Sequence, residues 1–92
     1  MIRSFKSKDL AAFFSGDIPV RLRPLEAQLS RRLQILDSAT STRSLAGLPS
    51  NHFEALKGDR RGQYSIRVSI QWRLCFLFEG EDAYDVELVD YH

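Results

Sequence analysis

Apolar side chains recur at helical spacing in the N-terminal part of the chain. Leu10, Phe13 and Phe14 fall on one side of a short helix. Ser7 is a favourable N-cap for this helix, and Gly16 is placed to end it.

A longer second helix is predicted to open near Pro24, which suits a first helical turn, and to continue to about Ala39. Its apolar face consists of leucines three or four residues apart, namely Leu25, Leu29, Leu33 and Leu36. A Ser/Thr-rich break follows, with a short helical turn around residues 43–45.

After Pro49 the spacing becomes alternating, which is the period of a β-strand. Gly80 lies in a predicted hairpin turn, and the register of the last strand shifts at Val89, which predicts a bulge or a strand buried on both faces. Shorter strands are predicted at residues 2–6 and 52–56. The alternating apolar positions are Tyr64, Ile66, Val68 and Ile70, then Trp72, Leu74, Phe76 and Phe78, and finally Tyr84, Val86 and Leu88.

These elements predict an α+β fold, in which two to three N-terminal helices pack on a mostly antiparallel, twisted β-sheet. The chain has 92 residues, which fits a single domain spanning 1–92. No apolar run is long enough to cross a bilayer, and one cysteine leaves too few soft ligands for a structural zinc site. A cytoplasmic protein without membrane contact, metal or cofactor is expected.

Charge is distributed unevenly along the chain. Residues 79–92 contain six acids and no Lys or Arg, so the preceding residues hold all thirteen bases against six acids. Ten of the bases are arginines, which bind phosphate through two parallel hydrogen bonds. This bias favours a nucleic-acid or acidic partner, although a solvated charged surface would have the same composition.

A basic segment between Gly58 and Gly62 predicts a turn between two strands. Lys57, Arg60 and Arg61 are its candidate phosphate-binding residues. The alternative is a solvated turn in which Asp59 pairs with a neighbouring arginine.

Arg67 and Arg73 lie on the polar side of strands whose other side is apolar. If the strands are adjacent, both guanidinium groups project from one open face and need a counter-ion. That counter-ion is either the acidic tail or a bound phosphate.

The chain ends in Tyr91 and His92, directly after an apolar strand. Imidazole gives or takes a proton near neutral pH, and a phenol hydrogen-bonds or stacks on a base. Lysine, arginine, tyrosine and histidine together suit RNA cleavage, because RNA supplies its own nucleophile, the 2′-hydroxyl.

The segments L-K-G-D-R, Q-W-R and the terminal V-D-Y-H, with the opening M-I-R-S-F-K, closely resemble the HigB-type toxins of the RelE/ParE superfamily over essentially the whole chain. The resemblance implies a toxin of a type II toxin–antitoxin system that cuts mRNA in the ribosomal A site and stops translation. It also implies a helix-turn-helix antitoxin of the HigA type, through which the toxin is linked to operator DNA.

The resemblance also implies roles for individual residues. Lys57 and Arg73 would hold the scissile phosphate, and Arg67 fits the other sheet-face arginine of the family. In the terminal motif, Asp90 would position its neighbours, Tyr91 would orient the base or sugar, and His92 would act as general acid or base.

Glu54 departs from the family pattern, which often has a catalytic His three residues before the Lys. Near Lys57 and Arg73 this carboxylate should stay ionised, which makes it a weaker base than imidazole and repels phosphate. An attenuated ribonuclease is therefore expected. The alternatives are a ParE-like toxin that blocks a protein such as gyrase without cutting RNA, and an interaction partner within a repressor complex.

Overall fold

The computed structural model describes residues 1–91 and contains three α-helices and a four-stranded sheet. All neighbouring strands of the sheet are antiparallel, in the order β1-β2-β3-β4. The predicted α+β fold is confirmed. The elements are α1 (Lys8–Phe14), α2 (Glu26–Ser38), α3 (Thr42–Ala46), β1 (Glu54–Ala55), β2 (Tyr64–Arg67), β3 (Trp72–Glu79) and β4 (Asp82–Asp90).

Local signals account for the ends of α1. The Ser7 hydroxyl accepts a hydrogen bond from the Leu10 backbone N–H, as predicted for an N-cap. Gly16 follows the C-cap Ser15 with φ +100°, a backbone conformation that glycine adopts without strain.

The longer helix α2 begins two residues later than its proline suggested. Pro24 lies inside a 3₁₀ turn (Val20–Leu25), and α2 continues from Glu26. The predicted turn near residue 43 is α3, which Ser41 caps through a hydrogen bond from the Ser44 N–H.

A single hydrophobic core lies between the helices and one face of the sheet. Leu29, Leu33 and Leu36 of α2 are fully buried against it. Burying a side chain of this size contributes about 1.5–3 kcal/mol. The sheet residues of this core include Ile66, Leu74, Phe76 and Val86.

The strand predicted to reach Ile70 ends at Arg67 instead. The Ser69 hydroxyl accepts hydrogen bonds from the N–H groups of Gln71 and Trp72, which reverses the chain in residues 68–71. Ile70 is 87% exposed at this turn, so its expected place on the apolar face is wrong. The strand predicted over residues 52–56 is likewise reduced to Glu54–Ala55.

A bulge in β4 lies at Asp85 rather than at Val89. Pairing with β3 shifts between Cys75 and Leu77, and Asp85 has φ +52°. Tyr84 therefore pairs with exposed Leu77, and its expected place beside Val86 is wrong. Beyond the bulge, Val86 faces the core, while Glu87 pairs with Cys75 on the opposite face.

The N-terminal segment adds to the outer edge of the sheet as two parallel bridges, between Ile2 and Ala83 and between Phe5 and Val86. It also supplies counter-ions to the acidic last strand. Arg3 Nε lies 3.2 Å from Asp82 Oδ1, and Lys6 Nζ lies 3.4 Å from Glu87 Oε2. Within residues 1–91, no helix is long and apolar enough to cross a membrane.

The left-handed backbone at Asp85 generates a stability prediction. Asp85→Gly should change the free energy of unfolding by less than about 1 kcal/mol, because glycine accepts this conformation. Asp85→Val should lower it by about 1–3 kcal/mol, because a β-branched residue is strained at positive φ. Urea unfolding of both variants measures the difference, and equal losses would contradict the assigned bulge.

Candidate active site on the open face of the sheet

The sheet face opposite the helices, here called the open face, carries a cleft of about 500 Å³. We call it the arginine cleft. It brings together four predicted site residues from three strands and the C-terminal segment. The lining residues are Glu54, Arg67, Ser69, Ile70, Arg73 and Tyr91.

Strand register explains why these side chains meet. Arg67 on β2 and Arg73 on β3 are direct cross-strand partners, so both guanidinium groups leave the sheet on the same side. Glu54 of β1 pairs with Ser65, two residues before Arg67. The Tyr91 N–H donates to the Gln71 carbonyl at 2.6 Å, which attaches the C-terminal segment beside the hairpin turn.

Arg73 is held more firmly than the other predicted site residues. Its side chain is only 11% exposed. Its Nε–H donates to the Ser65 hydroxyl at 2.9 Å, and Nη2 donates to the backbone carbonyl of His52. Hydrogen bonds of this kind satisfy a buried guanidinium and fix the direction in which its charge points.

The counter-ion of Arg73 comes from β1. Glu54 Oε1 lies 3.5 Å from Arg73 Nη2, and the Glu54 side chain is 56% exposed. Arg67 donates through Nε to the Ser69 carbonyl at 3.2 Å. Two guanidinium groups and one carboxylate give the cleft an excess of positive charge, which suits a phosphate.

Tyr91 closes one side of the cleft. The Arg73 guanidinium lies 5.7 Å from the centre of its ring, a cation–π distance. Burial raises the pKa of the Tyr91 phenol, and the neighbouring Cys75 thiol raises it further. The phenol therefore keeps its proton and can donate a hydrogen bond.

The basic turn lies outside the cleft lining. Arg60 Nη1 lies 3.1 Å from Glu87 Oε2, so its partner is an acid of the C-terminal strand and not Asp59. This hydrogen bond raises the pKa of Arg60. Lys57 and Arg61 are exposed and make no salt bridge within residues 1–91.

The structure describes the terminal motif as far as Tyr91. Asp90 pairs with Trp72 and accepts from Gln71 Nε2 at 3.1 Å, which places it beside the turn that holds Tyr91. His92 lies outside the described residues. His52, near the position of the missing family histidine, is exposed and contributes its carbonyl to Arg73 rather than its ring to the cleft.

Two residues of this face were missed by sequence reasoning. Ser65 is completely buried against Arg73, and Glu87 joins Arg60 to Lys6. Alternation already placed Ser65 on the polar side with Arg67, so its position was available from the sequence. The contacts of Glu87 with Arg60 and Lys6 were not available from the sequence, because they depend on the bulge in β4.

Solved structures with a similar fold include proteins of toxin–antitoxin systems. One, a chain of a heterotetrameric YoeB–YefM toxin–antitoxin complex from Staphylococcus aureus, has a TM-score of 0.54 at 17% identity over 100% of this chain and 98% of its own. A YoeB/ParE toxin from Agrobacterium tumefaciens has a TM-score of 0.52 at 15% identity over 98% of each chain. These identities show the fold alone, which is of the RelE/ParE type.

Sequence similarity is more specific. Residues 3–92 match the model of the HigB-like toxin family, described as the RelE-like toxin of the type II toxin–antitoxin system HigB. Endoribonuclease HigB of Proteus vulgaris is 37% identical over 93 residues, covering all of both chains. Toxin HigB-1 of Vibrio cholerae is 44% identical over 78 residues, covering 83% of this chain and 82% of its own.

The chain therefore belongs to the HigB-like toxin family, and the resemblance seen in its motifs is confirmed. As a toxin of a type II system, it has an antitoxin as its partner. The family match also favours the HigB-type interpretation over the ParE-like alternative.

The Arg60–Glu87 pair generates a pH prediction. Burial raises the pKa of Glu87, but hydrogen bonds from Arg60 and Lys6 lower it more, so the pKa lies below its ordinary value. The stabilisation is present above the pKa of the unfolded state and is lost as the pH falls through the folded value. Wild type should therefore lose its stability advantage over Glu87→Gln on acidification, as measured by urea unfolding from neutral to acidic pH. A constant difference would contradict the ion pair.

Proposed function

We propose that this chain is an endoribonuclease that cuts mRNA in the ribosomal A site and thereby inhibits translation. The observation that carries the proposal is the arginine cleft, which is lined by the cross-strand partners Arg67 and Arg73 together with Tyr91. The name of the Proteus vulgaris relative, an endoribonuclease, supports the same activity.

The proposed reaction uses the nucleophile that RNA itself carries. A base takes the proton of the 2′-hydroxyl, and the 2′-oxygen attacks the adjacent phosphorus as the bond to the 5′-oxygen breaks. An acid then protonates the leaving 5′-oxygen, which gives a 2′,3′-cyclic phosphate and a 5′-hydroxyl end. Because the steps need only proton transfer and charge stabilisation, we propose that no metal ion takes part.

Each candidate residue has a place in this scheme. Arg73 and Lys57 stabilise the charge that develops on the phosphate, and Arg67 binds the RNA backbone within the cleft. Arg61 binds a flanking phosphate. Arg60 does the same through the part of its guanidinium that does not contact Glu87. Tyr91 orients the sugar or base, Asp90 positions Tyr91 through Gln71, and His92 is the proton donor.

Glu54 makes the proposed enzyme weaker than one with a histidine at this position. Its carboxylate can accept the 2′-hydroxyl proton, but it lies 3.5 Å from the guanidinium that must bind the phosphate. Carboxylate and phosphate therefore compete for Arg73, and we propose that the toxin is mild.

We also propose that its partner is a helix-turn-helix antitoxin of the HigA type, which inhibits the toxin and connects it to operator DNA. Its target, the translating ribosome, sets its location in the cytoplasm.

Loss of the proposed site should abolish cleavage. Arg73→Ala and His92→Ala should each reduce cutting of ribosome-bound mRNA by about 10²–10³-fold, because each removes a group that acts in the transition state. Primer extension on cellular mRNA after brief expression should give codon-phased ends for wild type and for neither site variant. Arg43→Ala removes an exposed arginine of α3 outside the cleft and should cut like wild type. Unchanged ends with both site variants would refute the proposal.

Restoring the family histidine should strengthen the toxin. Glu54→His replaces a weak base near the phosphate by imidazole and should raise the cleavage rate by about 10²-fold, with slower growth on induction. Glu54→Gln distinguishes the effect of the carboxylate charge on Arg73 from its role as a base. Glutamine removes the competing charge but cannot accept the 2′-hydroxyl proton. It should lower KM with no gain in kcat. If Glu54→His gains neither rate nor toxicity, the attenuating role of Glu54 is wrong.

A further inference from the structure

Ser65 is the least exposed polar group next to the arginine cleft. It lies on β2 with 0% exposure, opposite Cys75 and beside Glu54. Its hydroxyl accepts the Arg73 Nε–H at 2.9 Å, and its backbone carbonyl lies 3.5 Å from Nη2. One buried residue thus contacts two nitrogens of the same guanidinium.

A second contact fixes the rotation of that guanidinium. His52 adopts a left-handed backbone conformation, with φ 44° and ψ 51°, and its carbonyl accepts from Arg73 Nη2. Glu54 also lies on the Nη2 side. Within residues 1–91, Nη1 makes no hydrogen bond, so it is the nitrogen left for a ligand.

We propose that Ser65 is a positioning residue, which turns the Arg73 guanidinium so that Nη1 points at one non-bridging oxygen of the scissile phosphate. This inference rests on the proposed ribonuclease function. An arginine side chain has several rotatable bonds, and ordering it during the reaction would cost entropy. Fixing Nε and Nη2 beforehand leaves the charge in place when the transition state forms.

Chemistry favours this role over simple space filling. Buried side-chain hydroxyls are usually satisfied by backbone groups or water, whereas this one accepts from a charged, functional side chain. The Arg73 contact is also directional, since the N–H groups of a guanidinium lie in one plane in a fixed arrangement, so a bond to Nε–H orients the whole group. Removal of the hydroxyl leaves Nε unpaired and frees the guanidinium to turn toward Glu54.

A double-mutant cycle tests the proposal on the full chain with mRNA-programmed ribosomes. Ser65→Ala should lower kcat by about 10–100-fold with little change in KM, because misplacement of a catalytic group acts on the transition state. In an Arg73→Ala background, the same change should have no further effect. Ser65→Cys keeps the volume with a weaker acceptor and should fall between wild type and Ser65→Ala. Phosphorothioate substitution of each non-bridging oxygen should show a stereoselectivity in wild type that Ser65→Ala loses.

The matched control is Ser4→Ala, which removes a hydroxyl that accepts the Asp85 N–H at 2.9 Å away from the cleft. Circular dichroism and urea unfolding establish that each variant assayed is folded. If Ser65→Ala and Ser65→Cys both cut like wild type, or if Ser65→Ala costs as much with Arg73 as without it, the positioning role is wrong. If wild type itself does not cut, or Arg73→Ala cuts normally, the proposed function fails and this inference fails with it.

Discussion

The antiparallel pairing of β2 and β3 makes Arg67 and Arg73 direct cross-strand partners, so two guanidinium groups leave the same face of the sheet. Like charges in this position repel, so the surrounding groups must hold them apart or neutralise them. The Ser69 carbonyl accepts a hydrogen bond from Arg67. Arg73 donates hydrogen bonds to Ser65 and to the His52 carbonyl and forms a salt bridge with Glu54. The contacts of the open face are arranged around this repulsion: each guanidinium has its own hydrogen-bond acceptors, and one carboxylate, Glu54, faces two positive charges.

A neighbouring cluster resolves its charge differently. Glu87 binds both Arg60 and Lys6, so the turn after β1 and the N-terminal segment are joined to the last strand. The cations of this cluster are therefore partly occupied, whereas Lys57 and Arg61 on the same turn stay exposed to solvent. Arg60 thus has an acidic partner within the chain, whereas Lys57 and Arg61 make no salt bridge within residues 1–91, although all three look alike in the sequence.

Much of the fold follows from local patterns, and the differences have physical causes. The Ser7 cap and the leucine spacing of α2 are set by neighbouring residues and were predictable. The end of β2 was not predictable, because the Ser69 hydroxyl in the turn accepts hydrogen bonds from two backbone N–H groups that would otherwise be available for strand pairing. At the site, alternation placed Arg67 and Arg73 on one face. Alternation alone could not place Glu54 beside Arg73, since β1 pairs with a strand that follows the basic turn; the family resemblance gave that expectation, and the salt bridge agrees with it.

The extra residue at Asp85 has an effect beyond its own strand. Side chains of a strand alternate strictly, so one inserted residue exchanges the inner and outer sets for everything that follows. Before the bulge, Ala83 is buried in the core. After the bulge, Tyr91 lies beside the arginines on the opposite face of the sheet. The face on which Tyr91 lies therefore depends on the number of residues between Asp85 and Tyr91. An insertion or deletion of two residues there would leave Tyr91 on the open face, whereas one of a single residue would turn it toward the core.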